Sequence, residues 1–180
     1  MTGSTLTFAP AGTWRLDTVH STVGFQVPYL SSSFKGQFRD VDGRLEVGDE
    51  GATLTGSARV ASVDVKDENL NAHLQSPDFF DAESHPELSF SSDRIALDGE
   101  SVRVAGEITI KGVTRPIVAT GAAHGPVPNL QGNDSLRLQL TTTVDRTEFG
   151  VSWNAELPGG GKALSDDVTI LAELYFVKEA

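Results

Sequence analysis

The sequence contains no cysteine, and this absence excludes several kinds of chemistry. Disulfide bonds, zinc sites built on thiolates and thiol nucleophiles all require cysteine. Any catalytic or metal site must therefore use other side chains, and the redox conditions in which the protein works stay undetermined.

Basic residues are scarce relative to acidic ones. Lys and Arg together number 14, whereas Asp and Glu number 25, so the formal net charge is -11. A field of this sign repels polyanions. We therefore expect no nucleic acid among the partners of this protein.

Long apolar runs are also missing. No segment approaches the roughly 20 consecutive apolar residues of a transmembrane helix, and the first residues lack the basic and apolar segments of a signal peptide. These absences predict a cytoplasmic protein without a transmembrane segment. A length of 180 residues is enough for one substantial core, which predicts a single domain over residues 1–180.

Alternating apolar and polar residues run through most of the sequence. The pattern is clearest in residues 52–60 and 102–110, where every second side chain is apolar or small. Such alternation predicts strands with one buried face. It predicts further strands at residues 14–18, 21–28, 34–40, 43–47, 117–123, 136–144 and 168–176. Asp42-Gly43 is a turn signal that predicts a hairpin between residues 34–40 and 43–47.

One short helix is predicted at about residues 67–75. Asp67 and Glu68 lie where acidic side chains favour the start of a helix. Leu70 and Leu74 are four residues apart and share a face, and Pro77 follows the end. The fold class is therefore all-β with one short helix.

About eight antiparallel strands can form either a closed barrel or two packed sheets. The faces predicted to be buried carry several small residues, namely Gly56, Ala58, Gly106 and Ala172. A filled β-core would hold larger side chains at such positions, so these residues favour a barrel with space inside. Glycine also marks bulges and strand bends, which is the alternative explanation at each position.

Histidines are the main candidates for catalysis in a chain without cysteine. His20, His73 and His85 lack the spacing of a metal site, so we predict no metal centre. A hydrogen-bonding role is the simplest expectation for His20 and His73. The alternative is a general base oriented by a nearby aspartate.

Six groups of residues, in order along the chain, closely resemble the YceI-like family. They are Trp14-Arg-Leu-Asp17 with His20-Ser21 and Phe25, Phe34-Lys-Gly36-Gln-Phe38, Asp42-Gly43, His73-Leu-Gln-Ser-Pro-Asp-Phe-Phe80 with Pro86 and Phe90, Gly106-Glu-Ile-Thr-Ile-Lys-Gly-Val-Thr-Arg-Pro116, and Asp145-Arg-Thr-Glu-Phe-Gly150 with Trp153-Asn154. The similarity extends over about residues 13–177 and leaves residues 1–12 as an N-terminal extension.

The resemblance implies an extended, lipocalin-like antiparallel β-barrel of about eight strands. Its interior would hold a polyisoprenoid, an isoprenoid quinone or a similar amphiphile for transport, storage or sequestration. It implies binding without catalysis, and therefore no catalytic residue and no cofactor apart from the bound lipid. Family members commonly carry charged residues where this chain has Asn71, Ala72 and Gln75, so a role of those charges is not carried over.

Within this resemblance, apolar residues on the predicted strands and around the helix are candidates to line or gate the tunnel. They are Phe25, Val27, Phe38, Val60, Leu74, Phe79, Phe80, Phe90, Val104, Ile108, Leu138, Leu140, Phe149, Trp153, Ile170 and Leu174. The polar candidates at the rim are His20, Ser21, His73 and Arg146. The net negative charge favours a neutral headgroup, such as a quinone or an alcohol, over pyrophosphate.

Residues 71–90 interrupt the strand pattern and are predicted to form a flap over the tunnel. Leu70, Leu74, Phe79 and Phe80 would cover the apolar space, and His73 would anchor the flap. Two alternatives remain open: a lipid hydrolase or isomerase that uses His20 or His73, and a solid β-sandwich that binds other proteins. A homodimer, paired through a strand edge or the helix, is compatible with the pattern.

Overall fold

The structure, a computed structural model, describes residues 9–49 and 51–179. It contains eleven strands, two short 3-10 turns (Val60–Ser62 and Arg146–Phe149) and the helix α1 (Glu68–Leu74). The strands are β1 (Gly12–Leu16), β2 (Thr22–Tyr29), β3 (Ser32–Phe38), β4 (Val41–Gly48), β5 (Gly51–Arg59), β6 (Val63–Asp64), β7 (Glu87–Asp98), β8 (Ser101–Ile110), β9 (Val113–Pro128), β10 (Asp134–Asp145) and β11 (Asp167–Lys178).

Eight of these strands close into an antiparallel barrel. The ring runs β1, β4, β5, β7, β8, β9, β10 and β11, and it closes because β11 also pairs with β1. The strand β2 continues the path of β1 along β11, and β3 pairs with β2. The predicted all-β barrel with one short helix is confirmed.

The predicted hairpin between residues 34–40 and 43–47 is wrong. The strands β3 and β4 follow each other after a short break and pair with different strands. Asp42 and Gly43 lie inside β4, opposite Ser57 and Gly56 of β5. The pairing of β4 with β1 and β5 therefore overrides the local preference of Asp-Gly for a turn.

Strand β7 was not recognised in the sequence. A register shift between Ser92 and Arg94 breaks its alternation, and the Ser92 hydroxyl instead accepts a hydrogen bond from the backbone N–H of Leu54 (2.8 Å). The bulge also explains Gly106, which lies opposite Ser92 on β8. A Cβ at Gly106 would meet the Ser91 carbonyl oxygen at 2.3 Å, so glycine is needed there for the close approach of β7.

The N-terminal extension, predicted as residues 1–12, partly joins the barrel. Residues 1–8 lie outside the described residues, but Ala9 is buried and Gly12 begins β1. The Pro10 carbonyl accepts a hydrogen bond from the indole Nε1 of Trp14 (3.1 Å). This contact satisfies the only polar atom of the buried indole ring.

The interior near the β9–β10 turn is solidly packed. Trp14 of β1 lies opposite Leu45 of β4, and Leu136 and Leu138 of β10 also face this part of the interior. All four side chains are almost completely buried. The half of the barrel near α1 is hollow.

Helix α1 lies across the hollow end of the barrel. Its first residue is preceded by Asp67, whose carboxylate accepts a hydrogen bond from the backbone N–H of Leu70 (3.0 Å). The Asn71 side chain accepts from the backbone N–H of Val65 (2.8 Å), which ties the helix to β6. Leu74 is buried beneath the helix. Within the described residues, no helix is long and apolar enough to cross a membrane.

Because one half of the barrel is solid and the other hollow, a Leu→Ala substitution should lower the free energy of unfolding by different amounts in the two halves. Leu45→Ala should lower the free energy of unfolding by about 2–5 kcal/mol, because it opens a cavity in a filled region. Leu174→Ala should cost clearly less, since one side of Leu174 already faces empty space. Urea unfolding of both variants measures the difference, and equal losses would show that the interior is uniformly packed.

Candidate functional site

The hollow half of the barrel contains a cavity of about 470 Å³. This volume falls within the range of about 300–1,000 Å³ typical of small-molecule sites. Nearly all of the wall is formed by aliphatic and aromatic side chains, and polar groups such as Thr55, Ser57 and Thr141 are a small minority. The cavity therefore suits an apolar molecule.

Small residues on two strands, β5 and β11, create this space. Gly56, Ala58 and Ala172 all lie on the cavity wall. A Cβ at Gly56 would have only the Asp42 carbonyl oxygen within 4 Å, at 3.4 Å, so the side of Gly56 is open. Gly106 is the one of the four small residues predicted to leave space that has a different role, because it allows the close approach of β7 at the bulge.

A cluster of phenylalanines forms one end of the cavity wall. The Phe25 ring lies 5.7 Å from Phe38, 6.3 Å from Phe34 and 6.4 Å from Phe80, measured between ring centroids. Gly36 makes room for it, because a Cβ there would approach the Phe25 ring to 2.5 Å. Tilted and edge-to-face contacts of this kind hold aromatic rings in defined positions.

The mouth of the cavity lies between α1 and the segment that follows β10. The His73 ring makes edge contacts with Phe79 (5.0 Å) and Trp153 (4.9 Å), again between centroids. Trp153 remains 36% exposed although it also lines the cavity. These three rings therefore lie where the cavity wall meets solvent, and a gating role for them stays a prediction.

His73 also contacts a carboxylate at the mouth. Its Nε2 lies 3.1 Å from Oδ2 of Asp78, in the turn that follows α1. Both residues belong to the predicted flap of residues 71–90, so this hydrogen bond lies within the flap, and the anchoring role of His73 stays a prediction. Lys111 joins the turn after α1 to the barrel, because its Nζ donates to the carbonyl oxygens of Pro77 (2.6 Å) and Gly150 (3.2 Å).

Arg146 holds the segment that carries Trp153. Its Nε donates to the Ser165 carbonyl (2.9 Å), and its Nη1 donates to the carbonyls of Val151 and Trp153 (both 2.8 Å). The side chain is only 6% exposed. Three carbonyls from both ends of one loop thus converge on a single guanidinium.

The charge of Arg146 is only weakly compensated. Burial lowers the pKa of its guanidinium, and Asp166 and Asp145 oppose this effect. Nη2 is 3.9 Å from Oδ1 of Asp166 and, among the described residues, has no hydrogen-bond partner. Hydrogen bonds from the Thr147 hydroxyl and backbone N–H lower the pKa of Asp145, which keeps this neighbouring carboxylate ionised.

Most of the apolar candidates from the sequence do lie together on the cavity wall. They are Phe25, Val27, Phe38, Leu74, Phe79, Phe80, Phe90, Ile108, Leu140, Phe149, Trp153, Ile170 and Leu174, with His73 and Arg146 beside them. That these side chains contact a ligand stays a prediction.

Three apolar candidates and two polar ones lie elsewhere. Val104 and Leu138 are completely buried in the barrel but away from the cavity wall, and Val60 is buried in the 3-10 turn after β5. The alternation of the sequence predicted that these side chains are buried, but it could not predict how far along the barrel axis they lie.

His20 and Ser21 belong to the joint between β1 and β2 rather than to the rim. His20 is exposed, with Nδ1 2.8 Å from Oδ2 of Asp17. Burial raises the pKa of Asp17, but the hydrogen bonds with His20 and Val19 outweigh this and lower it. The Ser21 hydroxyl accepts from the backbone N–H of Tyr175 (2.9 Å), so its role is to shape the bend.

Two wall residues that the sequence did not reveal are Tyr29 and Leu164. They face each other in an isolated bridge between the end of β2 and the loop before β11. Leu164 lies in a segment without periodicity, so only the fold places it at the cavity. The one available signal was Asn154 in the family motif, whose side-chain amide bonds both backbone groups of Leu164 (2.8 and 3.0 Å).

The role of Arg146 in holding the loop leads to a test. Arg146→Lys should destabilise the protein and loosen residues 151–165, because each lost hydrogen bond from a charged donor is worth about 1.5–3 kcal/mol. Urea unfolding and limited proteolysis of this segment measure the effect. Arg137→Lys, an exposed change on β10, the strand that precedes Arg146, is the control. Equal behaviour of the two variants would contradict the role.

The sequence of this chain is similar to that of known protein families. The sequence profile described as the YceI-like domain matches residues 14–176. A UPF0312 protein of Staphylococcus aureus (strain USA300) is 31% identical over 166 residues, covering 89% of this chain and 94% of the relative. A UPF0312 protein of Photorhabdus laumondii is 29% identical over 158 residues, covering 86% and 80% respectively.

Solved structures share the same fold. Burkholderia cenocepacia BcnA has a TM-score of 0.77 at 21% identity and covers 89% of this chain and 98% of its own. The Campylobacter jejuni YceI protein has a TM-score of 0.70 at 24% identity, covering 83% and 87%. A polyisoprenoid binding domain from Saccharophagus degradans has a TM-score of 0.70 at 12% identity, covering 92% and 98%. The match of the YceI-like domain over residues 14–176 shows that the chain belongs to the YceI-like family, and the solved structures show the same fold.

Proposed function

We propose that this protein is a non-catalytic carrier that holds one long-chain apolar molecule inside its barrel. The observation that carries the proposal is the cavity of about 470 Å³ whose wall is almost entirely apolar. A polyisoprenoid or an isoprenoid quinone fits this chemistry, and the fold is shared with a polyisoprenoid binding domain. Transport, storage or sequestration of such a molecule would each use the same site.

Burial of hydrocarbon supplies the binding energy in this proposal. Each buried methylene contributes about 0.8 kcal/mol, and part of this gain is offset by the loss of ligand freedom. The affinity should therefore depend mainly on the length and fit of the apolar chain. Polar groups set the orientation of the ligand rather than most of its affinity.

A neutral headgroup fits the mouth better than pyrophosphate. Arg146 is the buried cation on the wall; its Nε and Nη1 donate to backbone carbonyls, and its Nη2 lies 3.9 Å from the Asp166 carboxylate. His73 and Asp78 contact each other at the mouth. With a net charge of -11, the chain offers little attraction to a multiply charged group. We therefore propose a quinone or an alcohol.

A lipid-modifying enzyme is the second candidate. The observation that favours it is the His73–Asp78 pair (3.1 Å), because His73 lines the cavity and an aspartate could orient it as a general base. If the protein is a carrier, His73 has a structural role, because its ring packs edge-on against Phe79 and Trp153. Loss of catalytic turnover of a bound isoprenoid in His73→Ala would favour the enzyme.

Filling the cavity tests the carrier directly. Ala172→Phe should weaken binding of the neutral fluorescent probe N-phenyl-1-naphthylamine by about fivefold or more, because the added ring competes with the probe for the same space and such overpacking costs about 1–3 kcal/mol. Leu171→Phe is the matched control, since Leu171 is the neighbouring residue of β11 and is exposed. Equal binding by both variants would place the probe outside the barrel and contradict the proposal.

Competition against the same probe tests the headgroup. Geranylgeraniol should displace N-phenyl-1-naphthylamine more effectively than geranylgeranyl pyrophosphate, because the two share a chain and differ in the headgroup, a hydroxyl in one and a charged pyrophosphate in the other. The comparison is made by fluorescence at constant salt, since the effect of charge depends on ionic strength. Stronger displacement by the pyrophosphate would overturn the preference for a neutral headgroup and leave the carrier intact.

A further inference from the structure

Several large apolar side chains are exposed around the mouth of the cavity. Leu30 is 58% exposed, Tyr29 and Leu70 are each 42% exposed, and Trp153 is 36% exposed. Tyr29, Leu70 and Trp153 also line the cavity, and Leu30 directly follows Tyr29 at the tip of the β2–β3 turn. We call these four residues the apolar rim.

Contacts within the structure make the apolar rim continuous. Trp153 packs on His73 of α1 (4.9 Å between centroids), one helical turn from Leu70. The next residue in the sequence, Asn154, uses its side-chain amide to hydrogen bond both the carbonyl and the N–H of Leu164.

Tyr29 and Leu30, at the tip of the β2–β3 turn, are joined to the same loop through Leu164 and Ala163. Leu164 faces Tyr29 in the isolated bridge, and the backbone N–H of Leu30 donates to the Ala163 carbonyl (3.1 Å). These contacts join the helix, the loop and the hairpin tip, and each of the three carries exposed apolar side chains of the rim. Surfaces of this kind mark sites of interaction with proteins or membranes.

We propose that the apolar rim docks on the surface of a lipid bilayer with uncharged or zwitterionic headgroups. The inference rests on the proposed function, because a ligand of that kind resides in bilayers and must pass the rim to reach the cavity. Trp and Tyr favour the boundary between headgroups and hydrocarbon, where an apolar ring and a polar tip are both satisfied.

The charge of the protein decides between kinds of bilayer. An anionic surface attracts basic segments and repels acidic proteins. With a net charge of -11, the chain gains nothing from an anionic surface. The rim should therefore bind phosphatidylcholine vesicles and lose affinity when phosphatidylserine is added.

Other exposed apolar residues provide the control. Leu130 is fully exposed in the turn between β9 and β10, at the opposite end of the barrel from the cavity. Leu130→Glu introduces the same charge as Leu30→Glu but away from the rim. Leu30 itself is not on the cavity wall, so its substitution leaves the ligand site unchanged.

Flotation of the full chain with phosphatidylcholine vesicles tests the proposal. Leu30→Glu should lower the vesicle-bound fraction by on the order of tenfold, because a carboxylate is strongly disfavoured among lipids. Leu130→Glu should bind like the unchanged protein. Brominated phosphatidylcholine should quench Trp153, while Trp14, which is completely buried, contributes little. Equal binding by both variants, or an unchanged tryptophan signal, would overturn the proposal.

The outcomes also separate this inference from the proposed function. Binding of N-phenyl-1-naphthylamine from solution should be the same in Leu30→Glu and the unchanged protein. Probe binding without vesicle binding would overturn the docking surface and leave the carrier intact. If sedimentation instead shows a dimer that Leu30→Glu dissociates, the rim pairs two copies and the bilayer proposal is wrong. Loss of probe binding in every variant would contradict the carrier itself.

Discussion

Closure of the sheet between β1 and β11 is the constraint on which the rest of the structure depends. Trp14, Arg15 and Leu16 pair with Lys178, Val177 and Phe176, and this short ladder joins the two ends of the ring. An open sheet of this length would leave unpaired edges and could bury its apolar face only by folding onto a second layer.

Once the ring is closed, the interior has a fixed width, and the side chains decide which part of it is solid. Large residues such as Trp14 and Leu45 fill one half, whereas Gly56, Ala58 and Ala172 leave the other half open.

The open half needs a cover, and that cover is built from polar contacts to backbone groups. Arg146 gathers three carbonyls, Lys111 gathers two, and Asn154 bonds both backbone groups of Leu164. Each contact fixes a segment that has little regular structure of its own. The apolar side chains of these segments then face the cavity or the solvent around its mouth. Polar anchors therefore position the apolar surface that the proposed carrier uses.

The sequence predicted the architecture because its alternation directly reflects one buried face per strand. It also located α1, where Asp67 is followed by Leu70 and Leu74.

Prediction from the sequence failed where the structure depends on contacts between segments that are distant along the chain. The Asp42-Gly43 signal was overridden by pairing with β5, and the bulge at Ser92 concealed β7. Val104 and Leu138 have the correct inward face, but periodicity carries no information on distance along the barrel axis. Leu164 and the role of Arg146 depend on contacts between segments distant in sequence, so family motifs pointed to the region without giving the contacts.

The central claim is that the hollow half of the barrel holds one apolar molecule. Native mass spectrometry of the untreated protein tests it most directly, because one spectrum reports both the ligand mass and the number of chains. The account predicts one additional molecule per chain, with a mass that matches a long isoprenoid and disappears after extraction with organic solvent. It also predicts that Ala172→Phe reduces the occupied fraction while Leu171→Phe does not. A spectrum with only the bare chain, unchanged after incubation with excess geranylgeraniol, would contradict the account.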